Sequence, residues 1–167
     1  TETFARSAAR TVDCPFTGRT YAALPALSPD VALIHVHEAD PTGSAIIRGL
    51  TVADEEIAQA SRHVLITAEK IVPVERMREQ SDRVNIPGTL VDAVVEVPYG
   101  SYPGNMAGLY YSDEQHLRLW LEAEKDPGTF AEFVDRHIRD TRDFHEYLDL
   151  CGGTERMEAL RRQELML

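Results

Sequence analysis

Apolar runs of strand length alternate with amphipathic segments through residue 97, and the last run organises the rest. Ile86-Pro-Gly-Thr-Leu-Val-Asp-Ala-Val-Val-Glu-Val-Pro-Tyr-Gly-Ser-Tyr-Pro103 is a Pro–Gly turn, a stretch of Val, Leu and Ala broken by Asp92 and Glu96, and then a loop. A strand apolar on both faces is expected in the middle of a sheet covered on both sides. Sheets of that kind bind ligands just outside the carboxyl ends of their strands, so residues 98–108 are where chemistry is expected. The plainer alternative is that Tyr99-Gly100 and Pro103-Gly104 only make turns.

Taken in order, residues 1–13 read as a tail or a frayed helix, Cys14–Gly18 as a turn, and Tyr21–Leu24 as a short strand. Val31-Ala-Leu-Ile-His-Val-His37 is a second apolar strand, closed by the Asp40-Pro-Thr-Gly43 turn, with Ser44–Ile47 returning beside it. Thr51 is placed to cap a helix, with Asp54 as its capping-box partner, carrying Ile57 and Ala60 and ending near Ser61. Val64–Thr67 is another strand, and Pro73 and Val74 open a helix through Gln80. Strands alternating with helices predict an α/β fold with an open, mostly parallel sheet and flanking helices.

After the loop the pattern turns helical. Ser112 with Gln115 suggests a second capping box, with Leu117, Trp120 and Leu121 on one face of the helix that follows. Asp126-Pro127 reads as an N-cap and first helical residue, ahead of a buried stripe of Phe130, Phe133, Val134, His137 and Ile138. A helix with Phe144, Tyr147 and Leu148 stops at Gly152-Gly153. Residues 154–167 predict a terminal helix with few apolar marks, expected to protrude or dock on another chain. The organisation is thus a tail at 1–13, a domain at 14–153 and a terminal helix at 154–167.

Charge narrows the partners. The 167 residues carry a net charge of −11, which disfavours nucleic acid and anionic membrane surfaces. The two cysteines, Cys14 and Cys151, fit no metal or redox spacing and suit a reduced, cytoplasmic protein. No apolar run reaches the length of a membrane span and no signal peptide opens the chain. Thr1 precedes a polar, unpatterned segment, so it is expected to be a cut or processed end rather than a nucleophile.

Complete catalytic motifs are missing. His35-x-His37 puts two imidazoles on one face of a strand, as metal-dependent hydrolases do, but no third ligand is at hand, so hydrogen-bonded core or cleft histidines are the favoured reading and no metal is assigned. Glu69 and Glu96, near strand ends, could act in acid–base chemistry; ion pairs are the simpler expectation for both. Neither a nucleotide-binding glycine fingerprint nor a Gly-x-Ser-x-Gly elbow is present.

Longer segments carry more. Pro15-Phe-Thr-Gly18, Pro29 through Gly43, Val64-Leu-Ile-Thr-Ala-Glu-Lys-Ile-Val72, Ile86-Pro-Gly and Val91-Asp-Ala-Val-Val-Glu-Val-Pro-Tyr-Gly100 follow one another, with Asp143, His145, Tyr147 and Leu148 behind. Together they resemble the carboxyl-terminal half of the alpha subunit of glutaconate CoA-transferase and its relatives, over roughly residues 14–153. The resemblance implies an α/β fold, obligate pairing with a beta subunit, often as a heterotetramer, and an active site between subunits. It also implies that the attacking glutamate lies in the beta subunit, and that a glycine-rich loop lies in the amino-terminal half of the alpha subunit. No catalytic residue is therefore expected here, and the chain alone should be inactive.

The family's Pro-Tyr-Gly-Ala-His-Pro loop aligns with Pro98, Tyr99, Gly100, Ser101, Tyr102 and Pro103, and Tyr102 replaces the usual histidine. Tyr99, Gly100, Ser101, Tyr102 and Asn105, with His35 and Glu69, are the expected substrate-binding positions, as positioning groups. No tightly bound cofactor is expected; coenzyme A serves as carrier, and acyl-CoA and carboxylic acids as substrates. Alternatives are a ring-opening CoA-ester hydrolase, a glutaconyl-type CoA decarboxylase, or a non-catalytic scaffold subunit.

Overall fold

The computed structural model describes residues 6–166, so the expected end at Thr1 lies outside the described residues. Arg10–Asp13 forms β1, paired antiparallel with β2, Thr20–Ala23. The expectation of a tail or frayed helix through residue 13 therefore fails at its end. The Cys14–Gly18 turn folds the chain back, with the Gly18 amide donating to the Cys14 carbonyl at 2.9 Å, and the two short segments satisfy each other's backbone groups.

A separate four-stranded sheet holds β3 (Val31–Ala39), β4 (Ala45–Ile46), β5 (His63–Ile71) and β6 (Ala93–Glu96) in the order β4-β3-β5-β6. β3, β5 and β6 are parallel and β4 is antiparallel to β3. Between them lie α1 (Asp54–Ala60) and α2 (Val74–Glu79). The inner face of the sheet is apolar and closed: Ala32, Ile34 and Val36 of β3 pack with Val64, Ile66 and Ala68 of β5 and with Ala58 of α1, all buried. Burial of this kind, at about 25 cal/mol per Å² of apolar area, is what holds the layers together.

Two expectations are corrected here. The run at 90–97 is not a central strand: Gly88–Leu90 is a short 3-10 turn, and β6 pairs only with β5 at the sheet edge. After Glu96 the chain leaves for a loop and helices, and among the described residues no further strand covers that edge. Nor is the sheet covered on both sides among the described residues. Val31 and Leu33 of β3, Leu65 of β5 and Val95 of β6 share the other face and are 49, 79, 36 and 55% exposed.

The Asp40 turn ties β3 to β4. Asp40 Oδ1 accepts from the Thr42 amide at 2.7 Å and the Thr42 hydroxyl at 2.6 Å, the side-chain-to-backbone pattern that makes Asp a turn former. Gly43 follows with φ +96°, where an added Cβ would lie 2.6 Å from Val91 Cβ. Gly43→Ala should therefore destabilise by about 2 kcal/mol, combining a left-handed conformation with overpacking. Thermal melting should show a Tm lower by roughly 4–8 °C, and an unchanged Tm would show that the turn yields freely.

The carboxyl-terminal third is helical: α3 (Glu114–Ala123), α4 (Pro127–Val134) with a wider turn at Asp135–Arg139, α5 (Phe144–Leu150) and α6 (Gly153–Leu165). Asp126 caps α4 as expected, accepting from the Thr129 amide at 2.8 Å. The other two capping boxes are not formed. α1 begins after Ala53 with no side-chain cap, and α3 is capped by Asp113, which accepts from the His116 amide at 3.0 Å. Asp113 wins because it is also bound by α6, as described below.

The stripe on α4 is only half-buried, and Ile138 is 65% exposed. On α3 the buried residues are His116 and Ala123 while Trp120 and Leu121 stay exposed. α6 does not simply protrude: Met157 and Leu160 are buried against Tyr102, Met106, Tyr110 and Leu148. No helix among the described residues is long and apolar enough to cross a membrane.

Candidate functional site

The parallel register of β3 and β5 sets His35 opposite Thr67, and the period-two alternation of a strand puts Glu69 on the same face. His35 Nε2 donates to Glu69 Oε1 at 2.8 Å, and its Nδ1 lies 2.8 Å from Thr67 Oγ1. Glu69 accepts two further hydrogen bonds, from the Tyr110 hydroxyl and from the Tyr99 amide at 2.8 Å. Burial alone raises the Glu69 carboxyl, but the hydrogen bonds from His35, Tyr110 and Tyr99 outweigh it and hold the pKa below the ordinary value. Burial and the neighbouring Glu69 push the Tyr110 phenol up, so it remains a proton donor.

This buried carboxylate shapes the loop that follows β6. Tyr99 sits at φ +62°, a conformation uncommon outside glycine, and its amide is pinned by Glu69. Its ring packs on Tyr110 with centroids 5.1 Å apart. Gly100 passes so close to the histidine that an added Cβ would collide with His35 Cε1. The Ser101 amide donates to the Tyr110 hydroxyl at 3.0 Å. Thus the loop, the strand ends and Glu69 are one hydrogen-bonded unit, and Tyr99 faces a cleft of about 710 Å³ at the carboxyl ends of β3 and β5.

His37 belongs to the frame of that cleft. Its Nε2 donates to the Ala107 carbonyl at 2.8 Å and its Nδ1 accepts from the Arg48 amide at 3.0 Å. With both nitrogens used, the ring is neutral, and burial lowers its pKa. The two histidines are therefore hydrogen-bonded separately, and no group of three or more His, Cys, Asp or Glu among the described residues is placed to hold a metal ion. Among the described residues Glu96 forms no ion pair but accepts from the Ile71 amide at 2.6 Å, closing the end of β5.

Of the seven sequence-derived positions, Tyr99, Gly100, Ser101, His35 and Glu69 come together. Of these, Tyr99 and Glu69 line the cleft, His35, Gly100 and Ser101 stand behind them in the same packed, hydrogen-bonded unit, and Asn105 is exposed outside it. Tyr102 turns the other way, into the helical core, where it is buried and its hydroxyl donates to Asp113 Oδ2 at 3.0 Å. Burial is the main cause that pushes this phenol far up, followed by the nearby Cys151 and Asp113. Tyr102→Phe should lower stability by about 1 kcal/mol, the worth of one such hydrogen bond. Denaturant titration measures it; a loss near zero would mean that Asp113 keeps its energy without the phenol.

Sequence reasoning misses Tyr110, Thr67 and the cations of the cleft. Thr67 is recoverable in principle from the pairing of two parallel strands, whereas Tyr110 is brought in by a loop that returns under Tyr99.

The family follows from comparison with known proteins. A family model described as coenzyme A transferase matches residues 9–97. The chain belongs to the coenzyme A transferase family. An uncharacterized protein of Archaeoglobus fulgidus is 43% identical over 164 residues, covering 98% of this chain and 37% of that relative. The alpha subunit of glutaconate CoA-transferase from Acidaminococcus fermentans is 36% identical over 144 residues, covering 86% of this chain and 45% of the relative. The crystal structure of glutaconate coenzyme A-transferase from Acidaminococcus fermentans superposes with a TM-score of 0.88 at 34% identity, over 92% of this chain and 48% of that one. The chain therefore spans less than half the length of these relatives. The resemblance read from the segments between Pro15 and Leu148 holds, as does the α/β fold with parallel strands and flanking helices.

Proposed function

We propose that this chain is part of the alpha subunit of a heteromeric class I acyl-CoA:carboxylate CoA-transferase, and that it completes an active site whose attacking glutamate belongs to the beta subunit. The observation that carries the reading is the state of Glu69. The carboxylate nearest the loop accepts from His35, Tyr110 and Tyr99 at once, so it orients the loop and is a poor nucleophile. This supports a nucleophile supplied from outside the chain. In the proposed reaction the partner's carboxylate attacks the thioester carbonyl, thiolate leaves to give a mixed anhydride, and the thiolate returns to that anhydride to release the acyl group as carboxylate. Acceptor acid then takes the CoA by the reverse sequence.

In this scheme Tyr99, Gly100 and Ser101 position the acyl-CoA, with His35, Glu69 and Tyr110 holding them in place. Coenzyme A is the carrier, and no other cofactor is invoked. The open apolar face of Val31, Leu33, Leu65 and Val95 supports a chain that works inside a larger assembly, one that includes the amino-terminal portion carried by the relatives and a beta subunit. Two free cysteines, Cys14 and Cys151, suit a cytoplasmic setting.

The test is to purify the assembled complex and supply a panel of dicarboxylic CoA esters, following CoA transfer, free CoA and carbon dioxide separately. CoA transfer to an acceptor acid is the expected result. Acceptor-independent release of CoA would make the complex a hydrolase, carbon dioxide a decarboxylase, and an active complex lacking this chain would leave it a scaffold.

A further inference from the structure

The cleft beside Tyr99 is fronted by cations, in a chain whose net charge is −11. Arg48, Lys70, Arg76 and Arg161 line it, against the two carboxylates Glu38 and Glu69. The arrangement is directional. Arg48 and Arg76 each place Nη2 2.9 Å from the same oxygen, Glu38 Oε1, and both guanidinium side chains are 49% exposed while that of Glu38 is 10% exposed. The other oxygen, Glu38 Oε2, is shielded and has no hydrogen-bond partner. One inward carboxylate thus holds two outward guanidinium groups, which leaves a positive charge over.

Lys70 and Arg161 add to it, for neither has an ion-pair partner among the described residues. Arg48 is further fixed by its backbone, whose amide donates to His37 Nδ1 at 3.0 Å. The negative charge of Glu69 is engaged with His35, Tyr110 and Tyr99 and with none of the four cations. Like charges gathered along one cleft repel one another unless an anion joins them, and a concave wall focuses their field on an incoming ligand.

We infer that the Arg48–Lys70–Arg76–Arg161 cleft is an oxyanion site that receives a charged end of the ligand: a phosphate of the CoA moiety or the free carboxylate of a dicarboxylic acyl group. Naming those two sources rests on the proposed function; the anion site itself rests on the geometry alone. The site lies at the carboxyl ends of β3 and β5, on the same cleft as Tyr99, so an anion held there would orient the rest of the ligand along the loop.

The experiment is calorimetric titration of the 167-residue chain with pyrophosphate, CoA, pantetheine and glutarate, at low and at raised salt. Pyrophosphate or glutarate should bind with a Kd below about 1 mM at low salt and weaken as salt screens the site. Lys70→Glu with Arg161→Glu should weaken binding at least tenfold, Lys70→Gln less so, while Arg19→Glu on the remote hairpin changes nothing. Circular dichroism confirms that each variant is folded. Binding of pyrophosphate and CoA without glutarate names the phosphate as the source; binding of glutarate, with CoA no better than pantetheine, names the carboxylate. The inference is overturned if neither anion binds, or if the double variant and the parent chain bind alike. Lost anion binding with intact turnover in the complex removes this site alone, whereas anion binding without any CoA-ester turnover removes the proposed function alone.

Discussion

Asp113→Ala is expected to cost about 4 kcal/mol, because it breaks a buried ion pair and removes a helix cap in one step. Asp113 is 3% exposed. Its carboxylate accepts from Arg156 Nε at 2.8 Å and Nη2 at 2.6 Å, from the Tyr102 hydroxyl, and from the His116 amide at the start of α3. Three elements therefore meet at one side chain: the loop after β6, α3 and α6. Alanine leaves the guanidinium and the phenol without their acceptor. The Tm should fall by on the order of 10 °C, and a fall of only a degree or two would mean that α6 is held by Met157 and Leu160 alone.

The same residue gives a pH signature. Burial raises the Asp113 carboxyl, but the hydrogen bonds from Arg156, His116 and Tyr102 lower it further, to about 2. A depressed acid stabilises the fold above its unfolded pKa and loses that contribution as pH falls through the folded value. The stability difference between the parent chain and Asp113→Asn should thus be constant above about pH 4 and shrink toward about pH 2. Denaturant titrations across that window measure it, and a difference independent of pH would remove Asp113 from the acid-sensitive groups.

Glu69→Gln should have the largest effect on activity. The glutamine keeps the volume, but its amide can offer only one oxygen as acceptor, and the nitrogen placed toward Tyr99 would confront the Tyr99 amide, donor against donor. Tyr99 is held at φ +62°, so losing that hydrogen bond releases the loop. Turnover of the assembled complex should fall by about tenfold or more, the scale of a misplaced reacting group, with a smaller rise in KM. Glu69→Ala should add a stability loss of about 2–3 kcal/mol from the unpaired Tyr110 hydroxyl and Tyr99 amide. Unchanged turnover in Glu69→Gln would mean that loop geometry does not matter to the reaction.

Much of the fold is legible because strands β3 and β5 announce themselves as apolar runs and the turns beside them use Asp, Pro and Gly. What fails depends on neighbours. The run at 90–97 looks two-faced whether or not anything lies beyond it, so its place at the sheet edge cannot be read from Val94 and Val95. Thr51 and Ser112 satisfy a capping pattern, yet Asp113 takes the second cap because Arg156, 43 residues along the chain, binds the same carboxylate. The few apolar marks of α6 understate its burial, since Met157 and Leu160 are both 2% exposed.

For the candidate site, family resemblance locates the loop and strand ends, and the pairing of His35 with Glu69 then follows from strand register. Tyr102 reads with the loop because it sits between Ser101 and Pro103, but adjacent residues in a turn point in different directions, and its ring joins the helical core. Arg48, Lys70, Arg76 and Arg161 are scattered over four separate stretches, and only the folded chain brings them to one cleft.

The most direct test of the shared-site account is to trap the covalent intermediate. The assembled complex is incubated with an acyl-CoA and no acceptor acid, denatured, and each polypeptide weighed by mass spectrometry. The account predicts a CoA-sized mass gain on a carboxylate of the partner polypeptide and none on this chain; the adduct on this chain would contradict it.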